Sequence, residues 1–139
     1  MGADCVMVRP EKGIEGKQGL EYLPGISAET AGAQRLSLQS LTMPPGGRTR
    51  AHLHEDHESA IYVIAGTVIL WYGPELEARL DGGAGDFFYV PAGVPHVAVN
   101  ASDREPVEAV IARTDPNDQE RVVVLPELDQ LGHLTRRPA

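Results

Sequence analysis

Cysteine, lysine and aromatic residues are scarce in this chain, and each scarcity excludes something. One cysteine, Cys5, among 139 residues cannot close a disulfide framework and fits a reducing compartment. Only two of the 12 basic residues are lysines, Lys12 and Lys17, and the arginines are scattered. With 20 acidic side chains and a formal charge of −8, the chain has no basic stripe for nucleic acid or for an anionic membrane surface. Phe, Trp and Tyr make up 5% of the residues, so aliphatic side chains must build most of the core. No apolar run approaches the ~18 residues that suggest a membrane-spanning helix, and the longest, residues 60–72, is broken by Gly66 and Thr67. Residues 1–6 lack the basic and apolar regions of a secretory leader, and Val6 stands where a myristoylation motif requires Ser or Thr. A cytoplasmic protein is expected.

What is present is punctuation. Fifteen glycines and 11 prolines divide short Val-, Ile- and Leu-rich segments, and few stretches have helical periodicity. The length suits one domain. Strands are expected at residues 33–43, 48–54, 60–65, 67–72, 75–80, 87–90, 96–100, 107–113 and 121–125, which at this spacing make an all-β sandwich or barrel. Residues 1–32 read as a loose arm with one short strand at 6–8. Residues 126–139 read as a short helix, its pattern at 126–134, and a tail.

Four of the five histidines fall in two places. His52 and His54 alternate on a predicted strand, so both point to one face, with His57 just beyond; His96 opens a later strand. Two imidazoles on one face can meet at one cation but cannot complete its shell, so a third ligand must come from another strand. The other reading of the pair, two polar residues on a solvated face, stands beside it. His57 lies in the acidic stretch Glu55-Asp56-His57-Glu58 and is expected in water, as is His133.

These segments resemble the two motifs of the cupin superfamily. Gly46 is followed after five residues by His52-Leu53-His54, and Gly66 closes the first motif; six residues before it, where the motif has glutamate, stands Ser59, with Glu58 one step early. Gly85, Pro91, Gly93, His96 and Asn100 match every position of the second motif, 18 residues further on. The resemblance implies a single-domain double-stranded β-helix, a jelly-roll barrel occupying residues 33–125, often as a homodimer. It also implies one divalent transition metal held by His52, His54 and His96. The carboxylate position stays open between a three-histidine site and one in which a β-bulge turns Glu58 inward. Iron is the first expectation, with nickel, manganese, copper and zinc also compatible with imidazole.

Strand phase groups Arg48 and Arg50 with the histidines, and Arg50 is expected to clamp an anionic substrate. On the next strand Ser59, Ile61, Val63 and Ala65 share the inner phase and Tyr62 faces out; Phe87, Phe88 and Tyr89 cannot all face inward, and two of them are expected as core or dimer contacts. Asn100 is expected to fix a turn. With a three-histidine site, the cupin resemblance implies a mononuclear metal enzyme of the dioxygenase type, expected to act on a small anionic or chelating molecule. A non-catalytic small-molecule-binding cupin and a sugar isomerase or epimerase are the alternatives.

Overall fold

Along the strands at residues 37–43 and 107–113 every second side chain is buried, the pattern of a sheet with one face on a core. The computed structural model describes residues 4–10, 14–15, 20–117 and 122–134. Its strands are β1 (Ile14–Glu15), β2 (Glu21–Ile26), β3 (Ser37–Met43), β4 (His52–His54), β5 (Ser59–Ala65) and β6 (Thr67–Tyr72). They continue with β7 (Ala78–Gly83), β8 (Phe87–Val90), β9 (His96–Asn100), β10 (Val107–Arg113) and β11 (Val122–Val124). A one-turn helix, α1 (Ala28–Ala31), and a 3-10 turn at Pro126–Gln130 complete the elements.

The strands form two sheets of antiparallel pairs, a six-stranded one ordered β1-β2-β3-β10-β5-β8 and a five-stranded one ordered β11-β4-β9-β6-β7. From β3 onward the chain crosses repeatedly between sheets, and the two inner faces enclose Tyr22, Leu41, Met43, Val63, Leu70, Phe88 and Ile111. This is the expected jelly roll. A second apolar cluster lies on the outer face of the five-stranded sheet, where Ile69, Trp71, Val97 and Val99 are covered by Leu125, Leu128, Leu131 and Leu134. Asp129 pins that cover down: its Oδ1 accepts from the Ala51 amide at 2.8 Å and from Arg48 Nη2 at 3.1 Å.

Several expectations are corrected. Residues 6–8 form no strand, and Val6 and Met7 are 50% and 73% exposed. Further along the arm, where a loose segment is expected, β2 pairs with β3 and puts Tyr22, 2% exposed, into the core. Pro24-Gly25 inside β2 hid that strand, because both residues read as turn signals. The strand expected at 75–80 begins at Ala78, since Gly73–Leu76 forms the turn (Leu76 N–H donates to the Gly73 carbonyl at 3.0 Å). The helix expected at 126–134 is one 3-10 turn. Residue 121 and residues 135–139 lie outside the described residues.

Asn100 does what a turn-fixing side chain should. Fully buried, its Nδ2 donates to the carbonyls of Pro44 and Glu105 at 3.0 and 2.8 Å, and its Oδ1 accepts from the Ser102 amide at 2.9 Å. Gly66 joins β5 to β6 at φ +91°, and a Cβ there would stand 2.5 Å from the Pro106 carbonyl oxygen and 2.9 Å from Val107 Cα. Gly85 has the same sign, φ +92°, with nothing near a Cβ. Gly85→Ala should therefore cost about 1 kcal/mol of backbone strain, and Gly66→Ala about 2–4 kcal/mol because backbone must also move. Urea unfolding of both variants measures the difference, and equal losses would contradict this account.

Candidate metal centre

β4 lies between β9 and β11, and its register with β9 sets His52 directly opposite His96. His54 follows two residues later on the same face. All three are buried, at 3%, 2% and 5% exposure. The rings of His52 and His96 are 4.2 Å apart between centroids, and His54 lies 5.1 Å from His52 and 5.4 Å from His96. One ring nitrogen from each lies within 4.8 Å of the other two, the one such group of metal-capable side chains among the described residues.

Two of the rings are held by the backbone. Nδ1 of His52 donates to the Arg50 carbonyl at 2.6 Å, and Nδ1 of His96 donates to the Val94 carbonyl at 2.9 Å. A carbonyl only accepts, so each Nδ1 carries the proton and each Nε2 keeps its lone pair, the tautomer a metal needs. His54 Nδ1 is buried with no hydrogen-bond partner. Desolvation keeps all three imidazoles neutral: it lowers His52 well below the usual histidine range, helped by repulsion from His96. His54 is driven down by burial, then by Arg113 and the other rings. His96 is lowered to about 4, mainly by burial. Neutral nitrogens on a common point, two of them pre-oriented, fit a divalent metal.

The cluster opens on a cavity of about 50 Å³ between the sheets, room for about four waters. Thr49, Ser59, Arg113 and Tyr22 supply its other polar groups; Leu41, Met43, Ile61, Val68, Phe88 and Ile111 are among its apolar walls. Ser59 and Ile61 therefore face inward as phase counting expects. Among the described residues no Asp or Glu lines the cavity. Glu58 is exposed and accepts from the Tyr89 hydroxyl at 2.6 Å, so the structure does not bring it to the histidines.

Arg50 also lies elsewhere. It is exposed and does not line the cavity, while Thr49 does. Alternation carried back from His52 fails because the chain bends at Ala51: Thr49 is inside, Arg50 outside, and Ala51 and His52 are both buried. Arg48 pairs with Asp129 on the outside of the sheet. The arginine at the cavity is Arg113, the last residue of β10, 5% exposed, with its guanidinium 5.7 Å from the Tyr22 ring centroid and hydrogen-bonded to the Tyr22 side chain. Its position at the inner phase of the 107–113 strand was the available signal. His57, expected in water, is 3% exposed, with Nδ1 3.4 Å from Asp115 Oδ2 and its ring 4.7 Å from that of His54. His133 is exposed as expected, with Nε2 2.7 Å from the Leu76 carbonyl oxygen.

Two facing sheets of jelly-roll order with a histidine cluster inside one end define the class. The chain belongs to the cupin family: its residues 39–112 match the Cupin domain. Solved structures share the fold. An oxalate oxidase in complex with the substrate analogue glycolate superposes with TM-score 0.66 at 19% identity over 79% of this chain and 57% of its own. The polyketide cyclase RemF from Streptomyces resistomycificus gives 0.64 at 25% identity over 85% and 76%. Oxalate decarboxylase of Bacillus subtilis, which has Mn(II) centres, gives 0.66 at 21% identity over 86% of this chain and 29% of its own. The chain thus spans little more than half of the oxidase and under a third of the decarboxylase. The comparison with curated proteins gives no match.

The depressed histidines set a pH dependence for chelator-treated protein. His96 takes up its proton near pH 6.5 when unfolded but only near 4 when folded, so the unfolded state binds more protons in between. Stability should fall as pH drops from about 6.5 to 4, by about 3 kcal/mol from this group alone, with His52 and His54 acting in the same direction. Chemical unfolding between pH 7 and 4 measures it; a flat profile would contradict neutral burial of these rings.

Proposed function

We propose that the chain is a mononuclear metal-dependent cupin of the dioxygenase type, acting on a small anionic or chelating molecule, with His52, His54 and His96 as metal ligands. The observation that carries this reading is the convergence of three buried, neutral imidazoles on one cavity. A divalent metal there, iron as first choice and manganese, nickel, copper or zinc as alternatives, would polarise a bound substrate and hold it beside dioxygen. The chain's own part is positional. The Arg50 and Val94 carbonyls aim two ligands, the aliphatic walls exclude bulk water, and the small volume restricts the substrate to a few non-hydrogen atoms.

A non-catalytic small-molecule-binding cupin is the second reading, supported by the lack of any lining carboxylate to serve as acid or base among the described residues. The same lack speaks against the sugar isomerase reading. The partner expected in solution is a second copy of the chain. The outer face of the six-stranded sheet supports it: the Tyr62 and Phe87 rings pack 4.7 Å apart at a 43° tilt, on a face that also exposes Ile64 and Tyr89, with Phe87 76% exposed.

Untagged protein should hold about one transition metal per chain by elemental analysis. His52→Ala and His96→Ala should each weaken metal binding by at least ~100-fold and abolish oxygen uptake by iron-loaded protein. Substrate released unchanged from metal-loaded protein would select the binding reading, and no metal uptake at all would overturn the centre. Light scattering should give the mass of a dimer, and Phe87→Asp should give that of a monomer. A monomeric wild type would contradict the dimer.

A further inference from the structure

The place of the missing carboxylate is not filled by another acid but is ringed by donors. Ser59 occupies it, 3% exposed, with Oγ lacking any hydrogen-bond partner. The antiparallel register sets Arg113 directly opposite Ser59 on one side and Ser37 on the other. All three side chains are buried and belong to one row across the inner face, with Gln39 next to Ser37 in the inner phase of β3. Ser37 Oγ and both amide atoms of Gln39 are also buried without a hydrogen-bond partner. Ser59 and Arg113 line the same cavity as the three histidines, and among the described residues no carboxylate lines it.

We infer that Arg113 and Ser59 form an anion subsite facing the histidine cluster, which takes the carboxylate of a small monoanionic acid in the place where a protein carboxylate is missing. The inference deepens the metal-centre reading and rests on it. A metal dication on three neutral imidazoles would meet no carboxylate among the described residues that line the cavity, so its charge favours an anionic ligand. A carboxylate held by Arg113 and Ser59 would bring that negative charge to the side of the cavity where the protein supplies none. Arg113 supplies a planar fork suited to two carboxylate oxygens, and Ser59 Oγ supplies one more donor. Tyr22 sets the direction of the fork by its hydrogen bond and its ring face. The cavity volume of about 50 Å³ limits the acid to a few non-hydrogen atoms.

The test uses the full chain loaded with cobalt(II), titrated with acetate and with its neutral counterpart acetamide while the visible cobalt spectrum is followed. Acetate should perturb the spectrum saturably, and acetamide should bind at least ~10-fold more weakly. Arg113→Met should retain one cobalt per chain and lose at least ~10-fold in acetate affinity, while Arg113→Lys should recover part of it. Ser59→Glu should retain cobalt and no longer respond to acetate. Equal binding of acetate and acetamide, or wild-type acetate affinity in cobalt-loaded Arg113→Met, would overturn the subsite and leave the metal centre standing. Failure of the wild type to bind cobalt would overturn both. Should Arg113→Met not fold, the acetate–acetamide ratio and Ser59→Glu decide.

Discussion

The pairing of β4 with β9 sets His52 opposite His96 at the inner face of a sheet whose other face is equally buried, and the rest of the molecule is arranged around holding that short strand in place. β4 has only three residues, His52–His54, too few to be stable by their own ladder. It is held from both sides, by β9 and by β11, and from behind by the C-terminal leucines and Asp129. The Leu125 amide donates to the Ala51 carbonyl at 2.8 Å, immediately before the first histidine. The C-terminal segment is therefore part of the support of the histidine cluster although it lies outside the sandwich. Rings fixed in this way lose little freedom on taking a ligand, which favours tight coordination.

Charge is distributed against the sign of the whole. The chain carries a formal −8, yet the cavity holds three histidines and an arginine and, among the described residues, no acid. The acidic groups near the histidines in sequence, Glu55 and Glu58, are exposed, where water screens them. Burial does the opposite inside: it makes each imidazole expensive to protonate and lets the guanidinium act on them across a medium of low polarity. The two effects together leave a cluster of neutral imidazoles beside one fixed cation.

The sheets differ in what covers them. The outer face of the five-stranded sheet is sealed by the chain's own C-terminal segment, whereas that of the six-stranded sheet presents Leu38, Tyr62, Ile64, Phe87 and Tyr89 at 36% exposure or more. The inward residues of the same strands, such as Val63, Phe88 and Ile111, fill the core. An identical alternation therefore produces a closed surface on one side of the sandwich and an apolar one on the other.

Most of the barrel was legible in the sequence, because strand period, turn residues and motif spacing are local properties. His52, His54 and His96 were recoverable for the same reason: two share a strand face and the third sits at a fixed distance from a Pro-x-Gly turn. Asn100 and Gly66 likewise act where their spacing suggested. What local patterns could not carry was decided by tertiary contacts. β2 forms because β3 offers an edge to pair with, in spite of Pro24 and Gly25. Arg50 leaves the cavity because one bend at Ala51 breaks the alternation, and a period of two loses its phase completely on a single irregular residue. Arg113 enters beside Ser59, 54 positions away in the chain, because antiparallel register brings β10 and β5 together. His57 is buried beside His54 because the chain after β10 returns Asp115 to meet it. The sequence by itself determined the periodicities, the turns and the His52–His54 pair; only the tertiary structure, through register and phase between strands distant in sequence, decided which charge stands next to the histidine cluster.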